Sequence, residues 1–167
     1  NKGFEVIEGH HLFGVDVESI EVVIHPESII HSMVEFVDGS ILAQLAPPDM
    51  YLPIQNALTY PHRCPTKIPS LDFAHVSQLT FFEPDFSRFP CLRYAYDAAL
   101  QGGTMPAVLN AANEVAVNRY LRKEIGFLQV PELIGCVMGE HEVIGAPGLE
   151  EIQAADAWAR EKAQHYE

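Results

Sequence analysis

A chain of 167 residues that is 48% hydrophobic and 20% charged has the composition of a folded globular protein, not of a disordered tail. Its net charge of -13 argues against a nucleic-acid partner, which would need a basic stripe along the phosphate backbone. No apolar run approaches the ~20 residues of a membrane span, and the opening Asn1-Lys2-Gly3 is not a secretory signal.

Residues 1–13 read as a helix that stops near Gly14. Helical spacing puts Phe4, Ile7 and His11 on one side and Val6, Gly9, Leu12 and Phe13 on another, the pattern of a helix wedged between layers. Lys2 and Glu5 are three positions apart beside Asn1, so the spacing predicts a Lys–Glu pair bordering a buried face. The absence of an initiator Met, with helix from the first residues, leads to the expectation of a piece of a longer polypeptide.

The β-branched run Ile20–His25 reads as a strand stopped by Pro26. Ser32–Val37 and Ser40–Leu45 flank Asp38-Gly39, which predicts a hairpin with a two-residue type I′ turn. Residues 46–90 hold eight of the twelve prolines and read as a connector with one short helix after Pro53. Beyond it, prolines at helix starts and Gly102-Gly103 at a helix stop predict helices over about 90–101, 106–124, 131–138 and 149–165. The expected fold class is α+β: the end of a mixed sheet (helix, strand and β-hairpin), a connector and a small carboxy-terminal helical bundle.

The residues alone specify little chemistry. No GxGxxG or Walker-type glycine loop occurs, so no nucleotide site of the chain's own is expected. Cys64, Cys91 and Cys136 form no CxxC pair and read as free thiols. His10 and His11 are adjacent and expected to point apart. His25 and His31 are separated by Pro26, which leaves a zinc site the weaker reading and hydrogen-bonded loop histidines the stronger. Pro47-Pro48-Asp49-Met50 reads as a turn, or alternatively as a rigid edge with an adaptable Met against a flat ligand. Asn110-Ala111-Ala112-Asn113-Glu114 reads as a small-residue packing face with polar ends.

Four strings, however, resemble the 1-deoxy-D-xylulose 5-phosphate reductoisomerases in order: NKGFEVIE, IHPESIIHSMVEFVDGSILAQLAPPDM, LTFFEPDFSRFPCLRYA and LNAANEVAV, spanning residue 1 to about 125. That resemblance implies an enzyme that uses NADPH and a divalent metal (Mn2+ or Mg2+) to convert this sugar phosphate to 2-C-methyl-D-erythritol 4-phosphate in non-mevalonate isoprenoid synthesis. It implies residues 1–48 as the end of a central catalytic domain, 49–88 as a connector and 89–167 as a helical domain, with a Rossmann domain upstream. Carried over position by position, Asn1 and Lys2 match substrate ligands, and Glu5 matches a metal ligand that also contacts substrate. Pro48 and Met50 match the cofactor edge, and His31 a histidine near the site whose role stays open. Ala46 and Tyr51 depart from the family pattern, where Gly and Arg are usual. The resemblance further implies a cytoplasmic or plastid-like location, homodimerisation of the intact enzyme, and no nucleic-acid or membrane partner. It also implies that this chain alone is inactive and binds neither cofactor nor metal. The alternative is a non-catalytic helical interaction module derived from that enzyme.

Overall fold

A computed structural model describes residues 1–166 and divides the chain into two compact units, residues 1–22 with 84–167 and residues 23–83. The first unit is helical. It opens with α1 (Lys2–Phe13), which ends where Gly14 takes φ 65° and its N–H returns to the His10 carbonyl. After a short 3-10 turn at Val17–Ser19, the unit resumes with α3 (Pro90–Gln101), α4 (Met105–Leu121), α5 (Gln129–Glu140) and α6 (Leu149–Gln164).

Alanines explain how these helices pack. Ala111, Ala112 and Ala116 of α4 and Ala155, Ala159 and Ala163 of α6 are all buried, so the two backbones approach without long side chains between them. Leu133 and Ile134 of α5 fill the remaining core, and each such burial contributes roughly 1.5–3 kcal/mol. Between α3 and α4 the turn needs glycine at position 103. Its φ is 55°, and an added Cβ would collide with the Ile144 carbonyl. The next residue, Thr104, is fully buried. Its Oγ1 hydrogen-bonds His141 Nε2 at 2.7 Å and accepts the Ile144 N–H at 3.1 Å.

α1 belongs to this compact helical unit. Phe4 and Ile7 pack against the helical core, and Gly3 sits so close to α3 that an added Cβ would lie 2.5 Å from the Ala95 Cβ. The expected second apolar side is not covered: Val6 is buried, but Leu12 and Phe13 are 76% and 80% exposed. Helical spacing fixes which residues share a side, and only tertiary neighbours decide whether that side is covered.

The second unit contains β1 (Ile30–Glu35), β2 (Ile41–Leu45) and α2 (Tyr51–Thr59). The strands pair antiparallel with a bulge between Ile30 and Ser32. Their connection is a three-residue loop rather than the expected two-residue turn. Phe36 N–H bonds the Ser40 carbonyl, Gly39 alone takes positive φ (81°), and Asp38 stays in the ordinary region because its carboxylate accepts the Ser40 N–H and hydroxyl. The strand expected over Ile20–His25 does not form. Among the described residues, only Ile24 bridges to Phe82, and Val23 and Ile24 remain exposed. β-Branched composition favours extension but cannot supply a ladder partner.

Candidate functional site

The sequence-derived candidates fall into two groups, one in each unit. In the helical unit, Asn1 precedes α1 and Lys2 begins it. Lys2 Nζ lies 2.6 Å from Glu5 Oε2, as the spacing predicts, but the pair is not buried: the side chains are 62% and 52% exposed. α1 packs on α3 through Gly3, which leaves Lys2 and Glu5 facing water. An exposed pair of this kind contributes about 0.2–1 kcal/mol, so its worth to the fold is small. What it offers is an ammonium and a carboxylate held together at the positive end of a helix, open to a ligand.

In the second unit, His31 occupies the bulged stretch of β1 and places Nε2 3.1 Å from the Ala46 carbonyl. Bulges redirect a side chain, and this one turns the imidazole toward the residue that leads into Pro47-Pro48. Ala46 itself is buried and donates to the Ile29 carbonyl. Asp49 then accepts the Tyr51 N–H at 2.6 Å, a local turn that starts α2. Pro48 and Met50 stand exposed on that turn, Met50 at 68%. The other loop histidine is also hydrogen-bonded. His25 Nδ1 meets the Thr80 carbonyl at 2.8 Å, and its ring stacks 4.7 Å from Phe81. Glu27 accepts both the hydroxyl and the N–H of Thr80, and those bonds, the hydroxyl foremost, hold its carboxyl below the usual range.

Among the described residues no group of three His, Cys, Asp or Glu side chains could hold a metal ion. Contrary to expectation, the His10 and His11 rings lie near each other, 4.9 Å apart and tilted by 59°, and His10 Nδ1 is engaged by the Val15 carbonyl. Glu5 therefore belongs to no such group, and a single carboxylate falls well short of the roughly six oxygen ligands a hard divalent cation takes. Sequence reasoning missed a feature beside it. Cys91 and Asn113 share a cavity with Asn1 and Lys2, and burial pushes the Cys91 thiol up from its ordinary range. Only the polar Asn113 within an alanine run hinted at it.

A family model described as the DXP reductoisomerase C-terminal domain matches residues 45–162. The chain belongs to that family. The 1-deoxy-D-xylulose 5-phosphate reductoisomerase of Pelotomaculum thermopropionicum is 59% identical over 160 residues, which cover 96% of this chain and 41% of the relative. That of Desulforamulus reducens is 55% identical over 163 residues, 98% of this chain and 42% of the relative. The chain therefore spans about two fifths of the length of the reductoisomerases it matches. Among solved structures, the Zymomonas mobilis enzyme in complex with NADPH superposes with a TM-score of 0.90 at 45% identity, over 98% of this chain and 43% of that one. A DOX-P reductoisomerase in complex with NADPH, fosmidomycin and magnesium gives 0.85 at 40% identity, over 98% and 42%. No helix among the described residues is long and apolar enough to cross a membrane.

Proposed function

We propose that the chain is the carboxy-terminal portion of a cytoplasmic 1-deoxy-D-xylulose 5-phosphate reductoisomerase and supplies one corner of its active site. The observation that carries this reading is the exposed Lys2–Glu5 pair at the head of α1, within a chain that matches reductoisomerases over nearly its whole length. Asn1 and Lys2 hold the phosphorylated substrate, Lys2 by placing its ammonium where phosphate or developing alkoxide charge needs an opposite charge. Glu5 contacts substrate and presents one oxygen to a divalent metal. When bound, that metal supplies Lewis-acid polarisation of substrate oxygens, and NADPH supplies hydride. With one carboxylate on this side, the remaining metal ligands belong to the rest of the enzyme, as does the dinucleotide-binding domain.

On this reading, residues 1–48 close the catalytic domain, 49–88 connect and 89–167 form the helical domain. Pro48 and Met50 form the exposed edge against which a flat nicotinamide packs, beside the carbonyl that His31 engages. Met33, Val34, Ile41 and Leu42 leave the hairpin apolar and exposed, which favours pairing within the intact homodimer. The chain by itself is inactive.

The test uses the full-length enzyme that contains this chain. Glu5→Gln removes the charge and keeps the shape, so turnover should fall at least ~100-fold, a loss of about 2.7 kcal/mol of transition-state stabilisation. A derived, non-catalytic helical module predicts no effect, and a fully active Glu5→Gln enzyme would falsify the metal assignment.

A further inference from the structure

Thr104, in the turn between α3 and α4, is fully buried, and its hydroxyl meets the segment that leaves α5. The contacts between the two are reciprocal. Thr104 N–H donates to the Ile144 carbonyl at 3.2 Å, and the Ile144 N–H returns to Thr104 Oγ1 at 3.1 Å. His141 Nε2 lies 2.7 Å from the same Oγ1. Gly103, whose missing side chain lets the Ile144 carbonyl approach, completes the junction.

These contacts fix where the protons are. A threonine hydroxyl has one hydrogen and two lone pairs. One lone pair takes the Ile144 N–H, which can only donate. Among the described residues the hydroxyl hydrogen has one acceptor in reach, His141 Nε2. His141 is therefore neutral in the closed junction, with its own hydrogen on Nδ1. A protonated ring carries hydrogen on both nitrogens. Nε2–H and the Ile144 N–H would then both point at Oγ1, and the threonine hydrogen would be an orphaned donor in the core.

The surroundings do not rescue the charged ring. Trp158 of α6 lies against it, ring centroids 5.2 Å apart. Of the nearby carboxylates, Glu140 at the end of α5 is held by Lys162 at 2.9 Å, and Glu151 on α6 by the Gly148 N–H at 2.6 Å. Burial holds the imidazole below its ordinary range, against the opposite pull of its neighbour Glu142.

We propose that the Thr104–His141–Ile144 junction is a proton-operated latch on the helical unit, shut while His141 is neutral and released when the ring takes up a proton. Release frees residues 141–148, the link between α5 and α6, from the α3–α4 turn. A histidine whose folded pKa is depressed gives stability that is complete above its ordinary value, ~6.5, and lost as pH falls through the folded one. The latch acts within the helical unit and stands whether or not Asn1 and Lys2 are substrate ligands.

The experiment follows hydrogen exchange of residues 141–148 in the full-length enzyme at about pH 8 and about pH 5, as protection factors free of the intrinsic pH dependence, with α4 as reference. Wild type is expected to lose protection in this segment at least ~10-fold at the lower pH, relative to α4. His141→Gln places an amide that does not titrate where Nε2 stands, and its protection is expected to agree at the two pH values within about threefold. Thr104→Val removes the hydroxyl and should leave the segment poorly protected at both. A wild-type segment equally protected at both pH values, a Gln variant that loses as much as wild type, or 15N shifts that place the His141 hydrogen on Nε2 at about pH 8 would each overturn the latch. If Gln does not hold the segment at about pH 8, the wild-type imidazole decides: it must titrate below ~6.5 in step with the loss of protection, and a ring that titrates apart from it overturns the latch.

Discussion

Arg119 on α4 donates from Nη1 to the carbonyl oxygen of Ala163 on α6 at 2.8 Å, and the same nitrogen reaches the Tyr166 carbonyl at 2.8 Å. Carbonyls in the last turn of a helix lack intrahelical partners, so one guanidinium both caps α6 and ties it to α4. Arg160 works at the same interface in the opposite sense, running from α6 to Glu114 on α4 at 2.8 Å while also holding Asp156 at 2.7 Å. Its two carboxylate partners raise its already high pKa further.

Arg119→Met keeps the aliphatic stem and removes the cap. Hydrogen bonds from a charged donor are worth ~1.5–3 kcal/mol, and here two part-buried acceptors lose one donor group. Urea denaturation should show a loss of about 2–3 kcal/mol, against a much smaller loss for Lys162→Met, which breaks only the exposed ion pair with Glu140. Equal losses in the two variants would show that the cap carries no special weight.

Gly103→Ala and Gly139→Ala should move stability in opposite directions. At position 103 the residue combines φ 55° with the Ile144 carbonyl in the place a Cβ would take, so the turn between α3 and α4 must shift. The expected cost is about 2–4 kcal/mol, read as a lowered Tm. Gly139 lies in α5 with open space around its Cα, and Ala there should stabilise by about 0.5–1 kcal/mol.

The Glu27–Thr80 contact sets a pH dependence in the second unit. The Glu27 carboxyl is held below its ordinary value by bonds made only in the folded form. A depressed folded pKa gives stability that is present above the ordinary glutamate range and lost as pH falls through the folded value. Protection factors of the Thr80 and Phe82 amides, which remove the intrinsic pH dependence of exchange, should therefore stay constant above about pH 5 and fall below about pH 4. Thr80→Val removes the hydroxyl and should flatten that acid-range change. A Val variant with the wild-type profile would move the cause elsewhere.

Much of the helical unit was legible because its punctuation is local. Pro90 and Pro106 suit first turns, and Gly102-Gly103 ends α3. Less legible was whatever depended on a partner distant in the chain. Ile20–His25 has strand composition, but its one bridge is to Phe82, which no periodicity reveals. The Lys2–Glu5 spacing gave the pair, whereas its exposure follows from α1 turning Gly3 toward Ala95. Asp38-Gly39 marked the hairpin, but the loop lengthened because the Asp38 carboxylate bonds Ser40 and only Gly39 supplies positive φ. The cavity that Cys91 and Asn113 share with Asn1 and Lys2 lay hidden for the same reason, since its lining comes from distant parts of the chain.

The last prediction concerns the 167-residue chain itself. A dinucleotide's pyrophosphate is normally met by a glycine-rich turn at a helix start, and the sequence has no such turn. A net charge of -13 repels a polyanionic cofactor over the whole surface, and Lys2 is already paired with Glu5 at 2.6 Å. Manganese meets a similar obstacle, because Glu5 offers one carboxylate where a hard cation takes about six oxygen ligands. Calorimetric titration of the isolated chain with NADPH, and separately with Mn2+, should give no saturable binding below about 100 μM, an affinity weaker than about -5.5 kcal/mol. The full-length enzyme should bind NADPH in the same buffer. Micromolar NADPH binding by these residues alone would mean that they carry a cofactor site of their own, and the division of labour proposed for the two portions of the enzyme would have to be redrawn.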